Sequence, residues 1–164
     1  KAATEAKLGY FPIQVPLSEE KPANIKKEPT YSGKPKYGVF KVGNGQNNEY
    51  AFVLDEPDSA DYKIYIDLNQ NGDLTDDGDG AWPKKNVNNG RTMYRVLDVP
   101  LKAKYGKNGT APCVIGIYRF TNIKYLLMYR QSGMEGSVSV DGKDHKALLV
   151  EVLYNHRIRK VLKI

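Results

Sequence analysis

Thiol and imidazole chemistry is almost missing from this chain. One cysteine and two histidines in 164 residues exclude an internal disulfide and any cysteine-based zinc site. Cys113 lies in the apolar run Pro112-Cys113-Val114-Ile115-Gly116-Ile117, which reads as a buried, inert thiol rather than a nucleophile. His145 and His156 fall near turns, where solvated histidines are expected, so a histidine triad or a two-histidine metal centre finds no support. There is no G-x-S-x-G, no glycine-rich phosphate loop, no H-E-x-x-H and no C-x-x-C. A glycosidase would need two carboxylates across a cleft, and Asp98, Asp141, Glu135 and Glu151 cannot be paired from sequence. These absences read against an enzyme.

Long apolar runs are also missing. None approaches the roughly 20 residues needed to cross a bilayer, so no membrane span is expected. Nor does any stretch sustain a helical period of any length. What remains is ordinary for a soluble globular chain, 40% hydrophobic and 27% charged, long enough for one domain or for two small ones sharing a core. The first residue is Lys1, which fits a cleaved precursor or a trimmed chain, with no signal peptide in view.

Residues 1–35 read as an extended, proline-rich arm. Prolines 12, 16, 22, 29 and 35 remove backbone donors and fix φ, leaving room only for a short helical start at Ala2 to Lys7. Phe11, Ile13, Val15 and Leu17 alternate, as an edge strand or a flexible tether would. Residues 36–164 form the β-domain. Strands are expected at Tyr37 to Val42 and Glu49 to Leu54, joined by a Gly/Asn hairpin turn, and then at Tyr62 to Ile66. After a polar excursion over 82–90 they resume at Thr92 to Val99, Ala111 to Phe120, Lys124 to Arg130, Gly136 to Val140, Lys146 to Leu153 and Arg159 to Leu162. Short strands separated by Gly, Asn and Pro turns predict an all-β, single-domain β-sandwich or open barrel.

The chain is organised around residues 67–79. Asp67, Asn69 and Asn71 put oxygen-bearing side chains at the first, third and fifth positions. Gly72 permits the sharp bend at the sixth, Asp73 is placed to give its carbonyl, and Leu74 at the eighth would fold back onto the core. A hard cation needs six to eight oxygens, and a tightly wound loop that turns every second side chain inward supplies them. An EF-hand closes with a glutamate at the twelfth position, where this chain has Gly78, so closure falls to Asp76, Asp77 or Asp79. The candidate ligands are Asp67, Asn69, Asn71, Asp73, Asp76 and Asp79, and the candidate ion is calcium. Tyr62-Lys63-Ile64-Tyr65-Ile66 alternates, so the loop leaves a strand, not the helix of a true EF-hand.

The phrase from Tyr65 to Asp79 resembles the aspartate-rich calcium loops of secreted bacterial β-domains, written D-x-N-x-D-G-D-F-T-D-x-G-E in GEVED-type domains. The likeness covers about fifteen residues, with Asn, Leu and Asp at the fifth, eighth and last positions in place of Asp, Phe and Glu. It implies a metal site and an extracytoplasmic address (periplasmic, cell surface or secreted) in a bacterium, and supplies no catalytic residue.

The net charge of +6 conceals a division, because five of the 19 acidic residues lie between Asp67 and Asp79, where there is no lysine or arginine. The rest of the chain sets 25 basic against 14 acidic residues, a net +11, so a focused negative spot sits on a basic body. Tyrosines interleave with cations at Lys36-Tyr37, Tyr94-Arg95, Tyr118-Arg119, Lys124-Tyr125 and Tyr129-Arg130. Such a surface holds single-stranded nucleic acid in barrel folds, but the list also describes strands with tyrosine inward and cations outward, which is the preferred reading in the absence of an RNP-like motif. Trp82, beside the acidic loop, is either an aromatic platform of a carbohydrate-binding module or a core plug, and a lone tryptophan favours the plug. Asn108-Gly109-Thr110 fits a glycosylation sequon and a turn tripeptide alike. Residues 138–158 echo the layout that leads to the acidic loop, with Glu151 opposite Asp67 and Leu153 opposite Asn69, as a duplicated unit without its metal or a chance likeness would. The resulting expectation is a calcium-binding extracytoplasmic β-domain with a structural metal site and a non-enzymatic binding or scaffold role. A glycan or protein partner is open, and nucleic acid is disfavoured.

Overall fold

The computed structural model describes residues 4–5, 12–55, 62–87, 90–130, 132–154 and 157–163. The described residues are all-β, in three antiparallel sheets, and none closes into a barrel. The strands are β1 (Thr4–Glu5), β2 (Ile13–Pro16), β3 (Lys36–Lys41), β4 (Glu49–Asp55), β5 (Lys63–Ile66), β6 (Lys84–Asn86), β7 (Thr92–Tyr105), β8 (Gly109–Phe120), β9 (Tyr125–Arg130), β10 (Ser132–Val140), β11 (Lys143–Tyr154) and β12 (Arg157–Lys163). A three-stranded sheet runs β3-β4-β5, a five-stranded sheet β2-β9-β8-β7-β6, and a four-stranded sheet β1-β10-β11-β12.

The first two sheets face each other as a β-sandwich. The alternation of β4 explains how, because successive side chains of a strand point to opposite faces. Tyr50, Phe52 and Leu54 join the main core, where they meet Val99, Leu101, Cys113, Ile115, Ile117, Leu126 and Met128 of the facing sheet. The Tyr50 hydroxyl crosses the sandwich to donate to the Lys102 carbonyl at 2.7 Å. Ala51 and Val53 turn the other way and join a second, smaller core with Ile25, Tyr37, Tyr65 and Leu74. The three-stranded sheet is thus buried on both faces, and its outer face is covered by residues of the segment before β3 and of the loop after β5.

Trp82 is a core residue, 8% exposed. Its ring lies 5.2 Å from Tyr62 and 5.6 Å from Tyr94, and its indole N–H donates to the Tyr62 carbonyl at 3.1 Å.

Several expected bounds shift. The alternating arm becomes β2, an edge strand paired with β9, and Ser18 and Tyr37 exchange both backbone bonds at 2.8 Å. Of the short helical start expected at Ala2 to Lys7, Thr4–Glu5 form a strand that pairs with β10, and the other residues of that stretch, like Phe11, lie outside the described residues. The strand expected to stop at Val99 continues through Pro100 to Tyr105, because a register shift between Val96 and Val99 lets it bend and resume pairing. The polar excursion over 82–90 contains β6, which pairs with β7. At the β10–β11 turn Asp141 and Gly142 both have positive φ, 50° and 72°, the signature of a tight hairpin turn. The echo of the acidic loop has no counterpart in length, since Tyr154 pairs directly with Arg157 across a two-residue connection; Asn155 and His156 lie outside the described residues.

Candidate metal centre

β5 hands the chain to the acidic loop at Asp67, which is 2% exposed. Its backbone N–H continues the sheet by donating to Ala51 O at 2.9 Å. Its carboxylate faces into the loop, where Oδ1 accepts from Asn71 N at 3.1 Å and Oδ2 from Gly72 N at 3.0 Å. The alternate side chains then repeat one local device. Asn69 Oδ1 accepts from Asn71 N at 2.9 Å, Asn71 Oδ1 from Asp73 N at 2.6 Å, and Asp73 Oδ1 from Thr75 N at 2.9 Å. Asn and Asp favour such turns because their short side chains reach the backbone two residues on. Gly72, at φ +84°, takes the left-handed conformation that the bend needs. Gln70 ties the loop to the β3–β4 hairpin, donating to Asn47 O at 2.8 Å and Glu49 O at 2.7 Å.

The loop winds onto Asp76. Asn69 Nδ2 stands 3.2 Å from both of its oxygens and Asn71 Nδ2 2.8 Å from Oδ2. Two carboxamides thus present the positive ends of their dipoles to a carboxylate, which is the electrostatic role a bound cation would take. Their oxygens each accept one backbone N–H and keep a second lone pair.

Asp77 stands differently. Its carboxylate accepts from the backbone N–H groups of Leu68 and Asn69, yet Oδ2 is buried without a hydrogen-bond partner. Burial, with the charges of Asp76 and Asp67, pushes its carboxyl up to about 6, against the two N–H donors that pull it down. Asp73 is the opposite case. Lys27 Nζ at 2.7 Å from Oδ2, with the Thr75 hydroxyl and amide on Oδ1, holds its carboxyl down at about 2. Both of its side-chain oxygens are engaged, which leaves its carbonyl as the group to offer a cation. Asp79 is exposed and turns toward the loop exit, where Oδ1 accepts from Ala81 N at 2.9 Å.

Hydrogen bonds therefore gather Asp67, Asn69, Asn71 and Asp76, while Asp73 and Asp79 are engaged elsewhere. Asp77, an alternative for closure in the sequence, carries the orphaned oxygen. Spacing could not choose among the three aspartates, because the choice depends on which of them the folded loop buries and which it leaves hydrogen-bonded or exposed. Among the described residues no group of three or more aspartate, glutamate, histidine or cysteine side chains is arranged to hold a metal by itself, so a cation here would draw on amide and backbone oxygens as well. The side-chain and backbone oxygens of these residues would suit a hard cation, with the Asn69 and Asn71 carboxamides turned so that oxygen and not nitrogen faces Asp76.

The other singled-out residues are placed as follows. His145 is exposed on β11 and Cys113 is buried. Glu135 pairs with Lys146 at 3.5 Å, and Asp141 sits in a turn. The side chains of Asp98 and Glu151 lie outside the described residues. The tyrosine–cation pairs do not share one orientation. Tyr94 is buried and Arg95 exposed, whereas Tyr118 and Arg119 are both buried, with Arg119 Nε donating to Ile123 O at 3.1 Å and its guanidinium 5.1 Å from the Tyr62 ring centroid. Comparison with family models, with curated proteins and with solved structures finds no match for the chain.

Proposed function

We propose that residues 67–79 form a structural calcium site in an extracytoplasmic β-domain whose role is binding or scaffolding. The observation that carries this reading is the buried, unpartnered Oδ2 of the half-buried Asp77 in a loop whose hydrogen bonds already gather Asp67, Asn69, Asn71 and Asp76. A buried carboxylate oxygen without a partner costs on the order of 1 to 3 kcal/mol, and a cation bound in the loop would remove that cost. Asp67, Asp76 and Asp77 would contribute charge, the two asparagines carboxamide oxygens, and Asp73 its carbonyl. The extracytoplasmic address rests on the resemblance of the loop to those of secreted β-domains.

Calorimetric titration of chelator-treated protein with calcium chloride tests the reading. One ion per chain is expected, with a dissociation constant on the order of 10⁻⁴ to 10⁻³ M, as in extracellular modules. At a hundred times that constant the folded state gains roughly 2.7 kcal/mol. Asp67→Ala should abolish the heat. Two ions per chain, or a melting temperature indifferent to calcium and chelator alike, refutes the site.

A further inference from the structure

The acidic loop is not an isolated excursion. The segment Pro22–Glu28, some 46 residues earlier in sequence, lies along it and is bonded to its middle. Gly72 O accepts two backbone N–H groups, Lys26 N at 2.8 Å and Lys27 N at 3.0 Å, and Leu74 N returns a bond to Lys27 O at 3.0 Å. Lys27 and Asp73 form a parallel bridge, reinforced by the ion pair between their side chains. The approach is so close that a Cβ on Gly72 would stand 2.4 Å from Asn24 O.

Beyond these bonds, Glu28 anchors the end of the segment by accepting from the Tyr31 and Tyr37 hydroxyls and pairing with Lys21, and burial adds a single side chain. From Ser18 to Thr30 the one buried residue is Ile25, whose side chain joins Leu74 in the small core over the three-stranded sheet. Residues 72–74, which the segment grips, lie between Asn71 and the closing carboxylates Asp76 and Asp77. They present Gly72 O and Leu74 N to the segment only while the loop is wound, and winding crowds the charges of Asp67, Asp76 and Asp77. A cation relieves that crowding. Local regions with few buried contacts open at low free energy, so the segment is where a change in loop stability would be felt.

We propose that Pro22–Glu28 is a calcium-coupled strap: cation binding in the loop and docking of the strap over the second core form one linked equilibrium, so that calcium controls exposure of the strap and of the apolar face beneath it. The inference rests on the calcium reading of the loop and extends it to a regulated surface. Linkage is reciprocal, so whatever loosens the strap must weaken calcium by the factor by which calcium tightens the strap.

The full chain is compared in calcium chloride and in chelator by hydrogen exchange at Lys26, Lys27 and Leu74 and by tryptic cleavage after Lys26 and Lys27. Calcium should slow exchange at these three amides about tenfold or more and slow cleavage in parallel, while amides of β8 and β9 change little. Ile25→Ala should weaken calcium binding roughly fivefold. Ile25→Val, a milder truncation of the same buried contact that leaves every charge at the loop unchanged, is the variant to use if Ile25→Ala does not fold. Calorimetry keeps the two claims apart. Calcium binding that Asp67→Ala abolishes, combined with unchanged exchange and cleavage in the strap, overturns the strap and leaves the site standing. No calcium heat overturns both. Ile25→Ala or Ile25→Val binding calcium with wild-type affinity also overturns the coupling.

Discussion

Truncating Leu74 to alanine isolates what the acidic loop contributes to the fold apart from any metal. Leu74 is 0% exposed and packs with Ile25, Tyr37, Ala51, Val53 and Tyr65. Removing a fully buried leucine side chain costs about 2 to 5 kcal/mol, set by how far the surroundings settle into the cavity. One wall here is a rigid sheet and the other is the strap, which is held by backbone bonds and polar side-chain contacts around a single buried residue and can move inward. The expected loss is therefore in the lower half of the range, about 3 kcal/mol. For a chain of 164 residues, at roughly 2 to 4 °C per kcal/mol, the midpoint should fall by about 6 to 12 °C. Urea and thermal unfolding, followed by emission of the lone buried Trp82, measure this in chelator so that metal linkage does not enter. Leu74→Ile should cost much less, since volume is conserved. A loss under about 1 kcal/mol for Leu74→Ala would refute the claim that the loop is clamped to the sheet by a core residue.

Two further expectations follow from the same packing. Trp82→Ala should destabilise by about 3 to 5 kcal/mol, since it deletes both the ring that packs against Tyr62 and Tyr94 and the bond to Tyr62 O; denaturant unfolding followed by circular dichroism would show it, and an effect below about 1 kcal/mol would return Trp82 to the surface. The Tyr31 and Tyr37 hydroxyls both donate to Glu28, at 2.7 and 2.9 Å. Burial first, and then the bond to Glu28 and its charge, pushes the Tyr31 phenol up and that of Tyr37 up to about 12. A phenol whose folded pKa exceeds its unfolded value of about 10 contributes stability that is fully present below that pH. The contribution is lost as pH rises from there through the folded value, so alkaline titration of tyrosinate absorbance should show late-ionising groups that Glu28→Gln brings forward. An unchanged titration in that variant would count against the cluster.

Local rules made a large part of this protein legible. Period-two alternation in Tyr62 to Ile66 marks a strand because a strand turns successive side chains to opposite faces, the Gly/Asn turn cluster marks Glu49 to Leu54 as one arm of a hairpin, and the missing helical period leaves an all-β fold. The Asx spacing of Asp67, Asn69 and Asn71 with Gly72 predicts a wound loop, since those bonds reach only two to five residues. Leu74 as an inward anchor and Trp82 as a core plug follow from hydrophobicity and position. Distance in sequence hid the rest. Pairing of residues 26 and 27 with 72 and 74 joins segments whose local patterns carry no mark of one another, and only chain closure brings them together. The same closure buries Asp77 Oδ2, which spacing could not tell from its neighbours, and turns Arg119 inward while Arg95 faces solvent. Local bonds wind the loop, but burial is set by whatever lies on the other side, and that is a property of the assembled sheets and strap.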